Sequence, residues 1–303
     1  MIAMPDVISS LDIGREWVED VFGIADAFGS GAESSMLSGR MISLAFFEPS
    51  TRTFASFDVA AKKLGMNTTS IRSSGESSIS KGESLSDTVR MLSSYSDCIV
   101  LRHPNDGAAK LASQITDKPV INAGDGKHEH PTQSVIDLYT VRKSFGKVDG
   151  LTYAIAGDLR YGRAAHSLIY LLTKFNPSLV YLVSPPQLSL RDDYKAYINY
   201  EYEECETISD AADSIDVLYV TRVQKERFPD DSEYERVRNS YVVDLDTAEM
   251  LKDNAIIMHP LPRIGEIDRA VDSSGKAKYF EQASYGVAVR MAIFLKVIGG
   301  RDG

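Results

Sequence analysis

The chain has 303 residues, enough for two domains of ordinary size, and its 33 basic and 43 acidic residues give a net charge of -10 at pH 7. This charge argues against nucleic acid or an anionic membrane as the partner, so any bound anion must be caught locally by a few cations in a cleft. No apolar run approaches the roughly 18 residues of a membrane span, and the N-terminus lacks the pattern of a signal peptide, so we expect a cytoplasmic protein with no membrane partner.

Apolar runs typical of buried strands alternate along the chain with helical patterns. The strand candidates are residues 41–47, 68–71, 97–101, 119–122, 151–156, 179–183, 215–220, 241–244 and 255–258. The helical candidates include residues 52–64, 85–95, 108–115, 132–145, 163–175 and 283–298. Regular alternation of this kind predicts an α/β fold whose parallel central sheets are covered on both faces.

A polar, glycine-bounded segment at 146–150 predicts a domain junction near the middle of the chain. We therefore expect one domain over 1–146 and a second over 147–282, with the terminal helix 283–298 packing back on the first. The serine-rich segment 70–86 carries Lys81 and breaks the alternation. It is either a disordered surface loop or a lid that brings Lys81 into a site on closure.

The first strand candidate leads directly into a turn of hydroxyls and an arginine. Ser50, Thr51, Arg52 and Thr53 stand at the start of the helical pattern, with Ser50 or Thr51 as the N-cap. Unpaired amides at a helix N-terminus attract phosphate, and a guanidinium adds a bidentate partner. The turn therefore indicates an anion site, although a capped helix with a surface arginine would have the same sequence.

Polar and basic residues also follow the other strand candidates, where ligands bind in open parallel sheets. These residues are Arg102, His103, His130, Gln133, Arg163, Arg222, Gln224, His259 and Arg263. Each has a simpler explanation when taken alone. His130 could simply be the residue before a helix that begins at Pro131. Arg163 or Arg222 could form surface ion pairs of little energetic value.

The motifs of several common chemistries are absent from the sequence. It contains no G-x-G-x-x-G, no P-loop and no G-x-S-x-G elbow, and neither Cys98 nor Cys205 has a neighbouring histidine. His128, Glu129 and His130 have no second cluster that would complete a metal site. We therefore expect neither cofactor nor metal, and a transfer reaction driven by positioning and electrostatic stabilisation.

Five motifs in order carry a resemblance to a known family. They are Phe-x-Pro-Ser-Thr-Arg-Thr at 47–53, Leu-Arg-His-Pro at 101–104, His-Pro-Thr-Gln at 130–133, Thr-Arg-Val-Gln-Lys-Glu-Arg at 221–227 and His-Pro-Leu-Pro-Arg at 259–263. In this order and spacing the chain resembles the aspartate/ornithine carbamoyltransferase family from about residue 7 to 298. The resemblance implies two doubly wound domains, one for carbamoyl phosphate and one for aspartate, with the active site in the cleft between them.

The resemblance also implies a role for each matching residue. Ser50, Thr51, Arg52 and Thr53 would bind the phosphate, and Thr53, Arg102 and His130 would contact the carbonyl oxygen. Gln133 and the backbone carbonyls of Leu261 and Pro262 would orient the carbamoyl amino group. Arg163, Arg222 and Gln224 would bind the aspartate carboxylates. Ser77, or else Ser78, and Lys81 would come from a neighbouring subunit of a homotrimer.

The activity that the resemblance implies is carbamoyl transfer to aspartate in pyrimidine biosynthesis. Ornithine is the competing acceptor within the family, but its enzymes have cysteine where this chain has Pro260, and a basic segment at 222–225 suits a second carboxylate better than a cation. A catalytically silent anion-binding homologue is a further alternative. Some family members pair with a zinc-containing regulatory chain, and the sequence does not decide whether this one does.

Overall fold

The computed structural model describes residues 6–29, 35–72, 82–223 and 242–299. It divides into two compact units. Unit 1 comprises the described residues up to Val135 and from Tyr285 onward, and unit 2 comprises Ile136–Ser284. The division passes through two helices, so each unit is described by itself.

Unit 1 is built on a four-stranded parallel sheet. Its strands are β1 (Met41–Phe46), β2 (Asn67–Arg72), β3 (Cys98–His103) and β4 (Val120–Asp125), in the order β2-β1-β3-β4. Its helices are α1 (Arg15–Gly29), α2 (Thr51–Lys63), α3 (Leu85–Tyr95) and α4 (Ala108–Ile115), and α5 (Pro131–Phe145) begins here. The chain returns past β1 to form β3 on its other side, so the topological switch lies between β1 and β3.

Unit 2 is built on a five-stranded parallel sheet. Its strands are β5 (Thr152–Ala156), β6 (Leu179–Val183), β7 (Tyr202–Cys205), β8 (Val217–Val220) and β9 (Ile256–Met258), in the order β7-β6-β5-β8-β9. Its helices are α6 (Arg163–Leu172), α7 (Asp192–Lys195) and α8 (Leu245–Met250), and α9 (Tyr279–Ile298) begins here. The switch in strand order falls between β5 and β8.

The second half of α9 packs within unit 1. The rings of Phe294 and Phe57 meet edge to face with centroids 5.7 Å apart, and Lys296 Nζ lies 2.6 Å from an oxygen of Asp20. Phe57 and Phe294 are both fully buried, so this contact belongs to the core under α2. Burial of such aromatic side chains supplies much of the stability of a core.

The two parallel sheets confirm the predicted α/β class, and the central strands lie close to their predicted positions. All four residues of β8 are buried, as expected for a strand covered on both faces. The sequence missed β7, an edge strand whose Glu203 and Glu204 are exposed and which therefore has no apolar run. Of the candidate at 241–244, the described residues form only an isolated bridge from Val243 to Ile267.

Over the described ranges, the longest and most apolar helices still fall short of what a bilayer crossing requires.

Candidate active site

In unit 1 the predicted anion site lies at the switch between β1 and β3. Phe46 at the end of β1 pairs with Arg102 near the end of β3, and β3 ends at the next residue, His103. Open α/β sheets bind ligands in the crevice that forms at this point. The register therefore brings Arg102 beside the turn that enters α2.

The turn after β1 delivers a helix N-terminus to this crevice. Ser50 takes the N-cap position in an extended conformation, with φ -160° and ψ 106°, and α2 begins at Thr51. Its side chain makes no capping hydrogen bond within the described residues of this turn. Arg52 and Thr53 stand in the first helical turn, where amides and the helix dipole favour an anion.

Aromatic and cationic contacts fix the direction of α2. The rings of Phe54 and Phe46 meet edge to face at 5.3 Å, and the guanidinium of Arg72 lies 3.5 Å above the ring of Phe54. From α9, the buried Arg290 hydrogen-bonds the hydroxyl of Ser56 and lies 4.6 Å above the ring of Phe57. Packing and cation–π contacts thus hold the N-terminal half of α2 in place.

Arg102 is anchored by three contacts close to the end of its strand. Its carbonyl accepts a hydrogen bond of 2.8 Å from the amide of Phe47. Its guanidinium donates to the Ala123 carbonyl and to the Glu48 carboxylate, both at 3.2 Å. The side chain is largely buried, with an exposed fraction of 11%. A phosphate entering here would compete with Glu48 for the same guanidinium.

His130 lies in the turn between β4 and α5, and it is 6% exposed. Its carbonyl accepts a hydrogen bond of 2.9 Å from the amide of Gln133, so His130 caps a helix that begins at Pro131. The neighbouring Glu129 carboxyl accepts from the Ser10 amide at 2.7 Å. Burial raises the pKa of Glu129, and hydrogen bonds from Ser9 and Ser10 offset this only in part.

Asp125 holds the same turn from inside. One of its oxygens accepts from the Asn122 side chain at 3.0 Å and from the Glu129 amide at 3.2 Å. Burial pushes the pKa of Asp125 up, but hydrogen bonds from His128 and Asn122 outweigh this and hold it below the usual value. The turn is therefore braced independently of any ligand.

His103 has a structural environment, as the simpler explanation of the sequence allowed. Its Nδ1 accepts from the Asn105 amide at 3.0 Å, and its ring meets that of Phe47 edge to face at 5.5 Å. Burial lowers its pKa, opposed by the charges of Asp125 and Glu48. These contacts orient the chain between β3 and α4.

In unit 2, the ends of β5 and β8 approach each other very closely at the switch. Gly157 follows β5 with φ +117°, and a Cβ there would lie 2.1 Å from the carbonyl oxygen of Thr221. The amide of Thr221 donates to the Ala156 carbonyl at 2.8 Å. Only glycine fits this contact and this backbone conformation. The residue after Thr221 is Arg222, which is half-buried.

The loop from Gly157 to α6 delivers Arg163 as the first helical residue. Asp158 accepts from the amide of Tyr161 at 2.9 Å, and His166 Nε2 lies 2.8 Å from the carbonyl oxygen of Leu159. Arg163 is 8% exposed. These contacts brace the loop that leads from β5 to the largely buried Arg163 at the start of α6.

The turn after β9 has an unusual backbone. Leu261 has φ +53°, and the Leu261–Pro262 peptide is cis. Arg263, which the sequence placed near Glu266 and Asp268, instead pairs with Asp272 through contacts of 2.5 and 2.6 Å. Glu266 contacts His259 at 2.7 Å, a pairing that sequence reasoning missed because nothing in the local pattern indicates it.

The predicted residues thus form two groups. Those of unit 1, at the carboxyl ends of β1, β3 and β4, are Ser50, Thr51, Arg52, Thr53, Arg102, His130 and Gln133. Those of unit 2, beyond β5, β8 and β9, are Arg163, Arg222, Leu261 and Pro262. Ser77, Ser78, Lys81 and Gln224 lie outside the described residues. Within the described ranges, no three His, Cys, Asp or Glu side chains are grouped to hold a metal ion.

The first group offers hydroxyls, amides and cations suited to a phosphate, and the second offers guanidinium groups suited to carboxylates and carbonyls suited to an amino group. No described residue of either group is a cysteine or a serine in a nucleophile elbow. Each group is suited to binding and charge stabilisation.

Comparison with known proteins finds relatives over nearly the whole chain. Residues 6–143 match the carbamoyl-P binding domain of aspartate/ornithine carbamoyltransferases, and residues 149–297 match their Asp/Orn binding domain. The chain is 55% identical over 296 residues to the aspartate carbamoyltransferase catalytic subunit of Saccharolobus solfataricus, covering 98% of each chain.

Two solved structures are similar over their whole length. The catalytic subunit of M. jannaschii aspartate transcarbamoylase has a TM-score of 0.88 and 46% identity, with 99% of this chain and 100% of that chain covered. The Trypanosoma cruzi enzyme in complex with carbamoyl phosphate and aspartate has a TM-score of 0.92 and 36% identity, with 98% of each chain covered. The two sheets, their strand-end residues and these matches together show that the chain belongs to the aspartate/ornithine carbamoyltransferase family.

Proposed function

We propose that this chain transfers the carbamoyl group of carbamoyl phosphate to the amino group of L-aspartate, giving N-carbamoyl-L-aspartate and phosphate for pyrimidine biosynthesis. The observation that carries the proposal is the helix N-terminus at Ser50–Thr53 with Arg102 beside it at the switch of the first sheet. The chain also aligns over nearly its whole length with relatives that are named for this reaction.

Carbamoyl phosphate binds to the unit 1 group. The first-turn amides of α2, the hydroxyls of Ser50, Thr51 and Thr53 and the guanidinium of Arg52 take the phosphate oxygens. Thr53, Arg102 and His130 donate to the carbonyl oxygen. Gln133 and the carbonyls of Leu261 and Pro262 hold the amino group, whose hydrogens need acceptors.

Aspartate binds through its two carboxylates to Arg163, Arg222 and Gln224. Guanidinium groups suit carboxylates because two parallel N–H donors meet two oxygens. The side chain of ornithine would instead place an ammonium beside this basic segment, which carries no acid at 222–225. Charge therefore selects aspartate as the acceptor.

The reaction is driven by charge stabilisation. The aspartate amine attacks the carbamoyl carbon, and negative charge builds first on the carbonyl oxygen and then on the departing phosphate. Each donor fixed around the carbonyl oxygen lowers the barrier by about 3 kcal/mol, as in other oxyanion sites. His130 need only donate a hydrogen bond, for which a neutral ring is sufficient. The departing phosphate accepts the proton of the amine, since the residues assigned to the site include no carboxylate base.

The proposal extends to assembly. Ser77, or Ser78, and Lys81 reach the site of a neighbouring subunit, so the active form is a cytoplasmic homotrimer with shared active sites. A zinc-containing regulatory chain is a further proposed partner. The naming of relatives as catalytic subunits supports a partner of this kind.

A phosphate-release assay on the purified protein tests the proposal. We expect phosphate release from carbamoyl phosphate when L-aspartate is added and none above background when ornithine is added. Release with ornithine alone would identify the other acceptor of the family. Binding of carbamoyl phosphate without release in either case would identify a silent homologue.

A further inference from the structure

The turn that carries Leu261 and Pro262 is organised by one buried histidine. His259 is 1% exposed, and both of its ring nitrogens have a partner. Nδ1 lies 2.8 Å from the amide nitrogen of Leu261, and Nε2 lies 2.7 Å from Oε1 of Glu266. The side chain therefore joins the main chain of the turn to a carboxylate further along it.

These partners fix the tautomer of the ring. A backbone amide can only donate, so Nδ1 must offer its lone pair to Leu261. The hydrogen of the neutral ring is then on Nε2, where it is donated to Glu266. A protonated ring would turn Nδ1 into a donor and break the bond to the Leu261 amide.

Glu266 is held as a carboxylate by further donors. Its Oε2 accepts from the amides of Ile264 and Gly265 at 3.0 and 2.9 Å. Burial raises its pKa, but the hydrogen bonds from His259 and Gly265 outweigh this and lower the pKa to about 2. The main chain at His259 is also anchored, because its amide donates to Gln282 at 2.9 Å and Gln282 donates to Asp137 at 2.6 Å.

The bond from His259 acts on a residue with an unfavourable backbone. Leu261 has φ +53°, a left-handed conformation that is uncommon for a side chain of this size. The hydrogen bond from its amide to Nδ1 of His259 joins residues two positions apart and holds the start of this turn. The carbonyl of Leu261 belongs to the next peptide unit, and its direction relative to the held amide is set by the backbone dihedral angles of Leu261.

We propose that His259 is a positioning residue for carbamoyl transfer, whose Nδ1 fixes the Leu261 amide and so aims the carbonyl of Leu261 at the carbamoyl amino group. The part that concerns the substrate rests on the proposed function. The part that concerns the turn rests only on the contacts of His259. His259 acts through Leu261 and does not itself touch the substrate.

Two substitutions separate the two ring nitrogens. In His259→Asn the Oδ1 oxygen takes the place of Nδ1 and keeps an acceptor for the Leu261 amide, but the donor to Glu266 is lost. In His259→Gln the Nε2 group takes the place of the ring Nε2 and keeps the donor to Glu266, but the acceptor for Leu261 is lost. Both variants leave one buried polar group unpaired, so both should unfold at a lower temperature.

Only one variant should slow the reaction. Because a misplacement of about 1 Å can cost about 100-fold in rate, we expect kcat to fall about 10- to 100-fold in His259→Gln and to stay within about threefold in His259→Asn. The KM for aspartate should change little in either. Val180→Ala, in the buried strand β6, is the control for a loss of stability alone and should keep its kcat.

Crystal structures of the two variants give a readout that is independent of activity. We expect Leu261 to keep its positive φ in His259→Asn and to lose it in His259→Gln. Equal kcat in both variants, or an unmoved Leu261 in His259→Gln, would overturn the positioning role. A wild type that releases no phosphate while Leu261 still moves in His259→Gln would overturn the proposed function and leave the role of His259 in the turn intact.

Discussion

The two units present their candidate site residues by different means. In unit 1 a contiguous run, Ser50–Thr53, follows β1 directly, and Arg102 lies beside it at the end of the neighbouring strand. In unit 2 the turn at Leu261 is shaped by His259 and Glu266, and its main chain is anchored through Gln282 to a residue 145 positions earlier. Local geometry places the run Ser50–Thr53, whereas the turn at Leu261 depends on a buried polar network.

The chemistry of the two groups explains this difference. A helix N-terminus already presents amides and a positive dipole end, so a phosphate site needs only a cap residue and a cation. A backbone carbonyl that must point at an amino group has no such standard form. Positive φ occurs in both units, as at Gly126 with φ +47° and Gly157 with φ +117°. Among the described residues, the one non-glycine residue with positive φ is Leu261 in unit 2, and surrounding contacts must sustain its conformation.

The largest expected effect comes from the unit 1 group. Removing one oxyanion donor typically lowers kcat about 100- to 1,000-fold, so we expect His130→Ala to lose activity in this range. Binding of phosphate should change much less, because Ser50–Thr53 remain. Steady-state phosphate release and calorimetric phosphate binding measure the two quantities.

A matched histidine distinguishes chemistry from structure in this unit. His103 contacts the Asn105 amide through Nδ1, and His103→Asn keeps an acceptor at that place. We expect this variant to retain kcat. If His130→Ala also retained kcat, His130 would have no part in the chemistry.

A smaller effect, on stability, is expected at the switch of unit 2. The added Cβ in Gly157→Ala meets the Thr221 oxygen at 2.1 Å with φ at +117°, whereas Gly275, with φ +74°, has nothing within 4 Å of its Cβ. We expect Gly157→Ala to lower the free energy of unfolding by about 3 kcal/mol and Gly275→Ala by about 1 kcal/mol. Denaturant unfolding measures both.

The same variant should also change aspartate binding. A displaced Thr221 moves Arg222, so the KM for aspartate should rise in Gly157→Ala and remain unchanged in Gly275→Ala. Equal losses of stability would mean that the close approach of β5 and β8 relaxes easily. The turn after β5 would then be less constrained than its geometry indicates.

The parts that the sequence predicted are those governed by local patterns. The bounds of α3, α4 and β6 agree with their predicted ranges because apolar periodicity and strand-length runs are read directly from the residues. β7 has no apolar run, and its Glu203 and Glu204 indicate no strand. Strand ends pointed to Arg102, His130 and Arg222, whereas their individual roles came from the family resemblance.

Tertiary contacts were beyond local reasoning. Glu266 and Asp268 are near Arg263 in sequence, yet Arg263 pairs with Asp272, and Glu266 contacts His259. The contact between Gln282 and Asp137 joins residues that no local pattern relates. The roles of Ser77, Lys81 and Gln224, outside the described residues, stay predictions.

The smallest expected effect is a change of stability with pH, and it comes from the network of unit 2. Burial lowers the pKa of His259 below 6.5, the hydrogen bond and charge of Glu266 oppose this, and the charges of Arg222 and Arg263 reinforce it. The unfolded chain therefore binds a proton at this ring before the folded chain does. The contribution of this ring to the free energy of unfolding is therefore present above pH 6.5 and is lost as the pH falls below 6.5.

The slope from one such group is at most about 1.4 kcal/mol per pH unit, so we expect wild type to lose no more than roughly 1 kcal/mol from this ring between pH 6.5 and 5.5. His103 and His128 also titrate, with their pKa values shifted in opposite directions. Subtracting the pH dependence of His259→Asn, which has no ring to protonate, isolates the contribution of His259. An identical slope in both proteins would mean that the folded chain accepts the proton as readily as the unfolded one, and the bond from the Leu261 amide to Nδ1 would then be too weak to hold the turn.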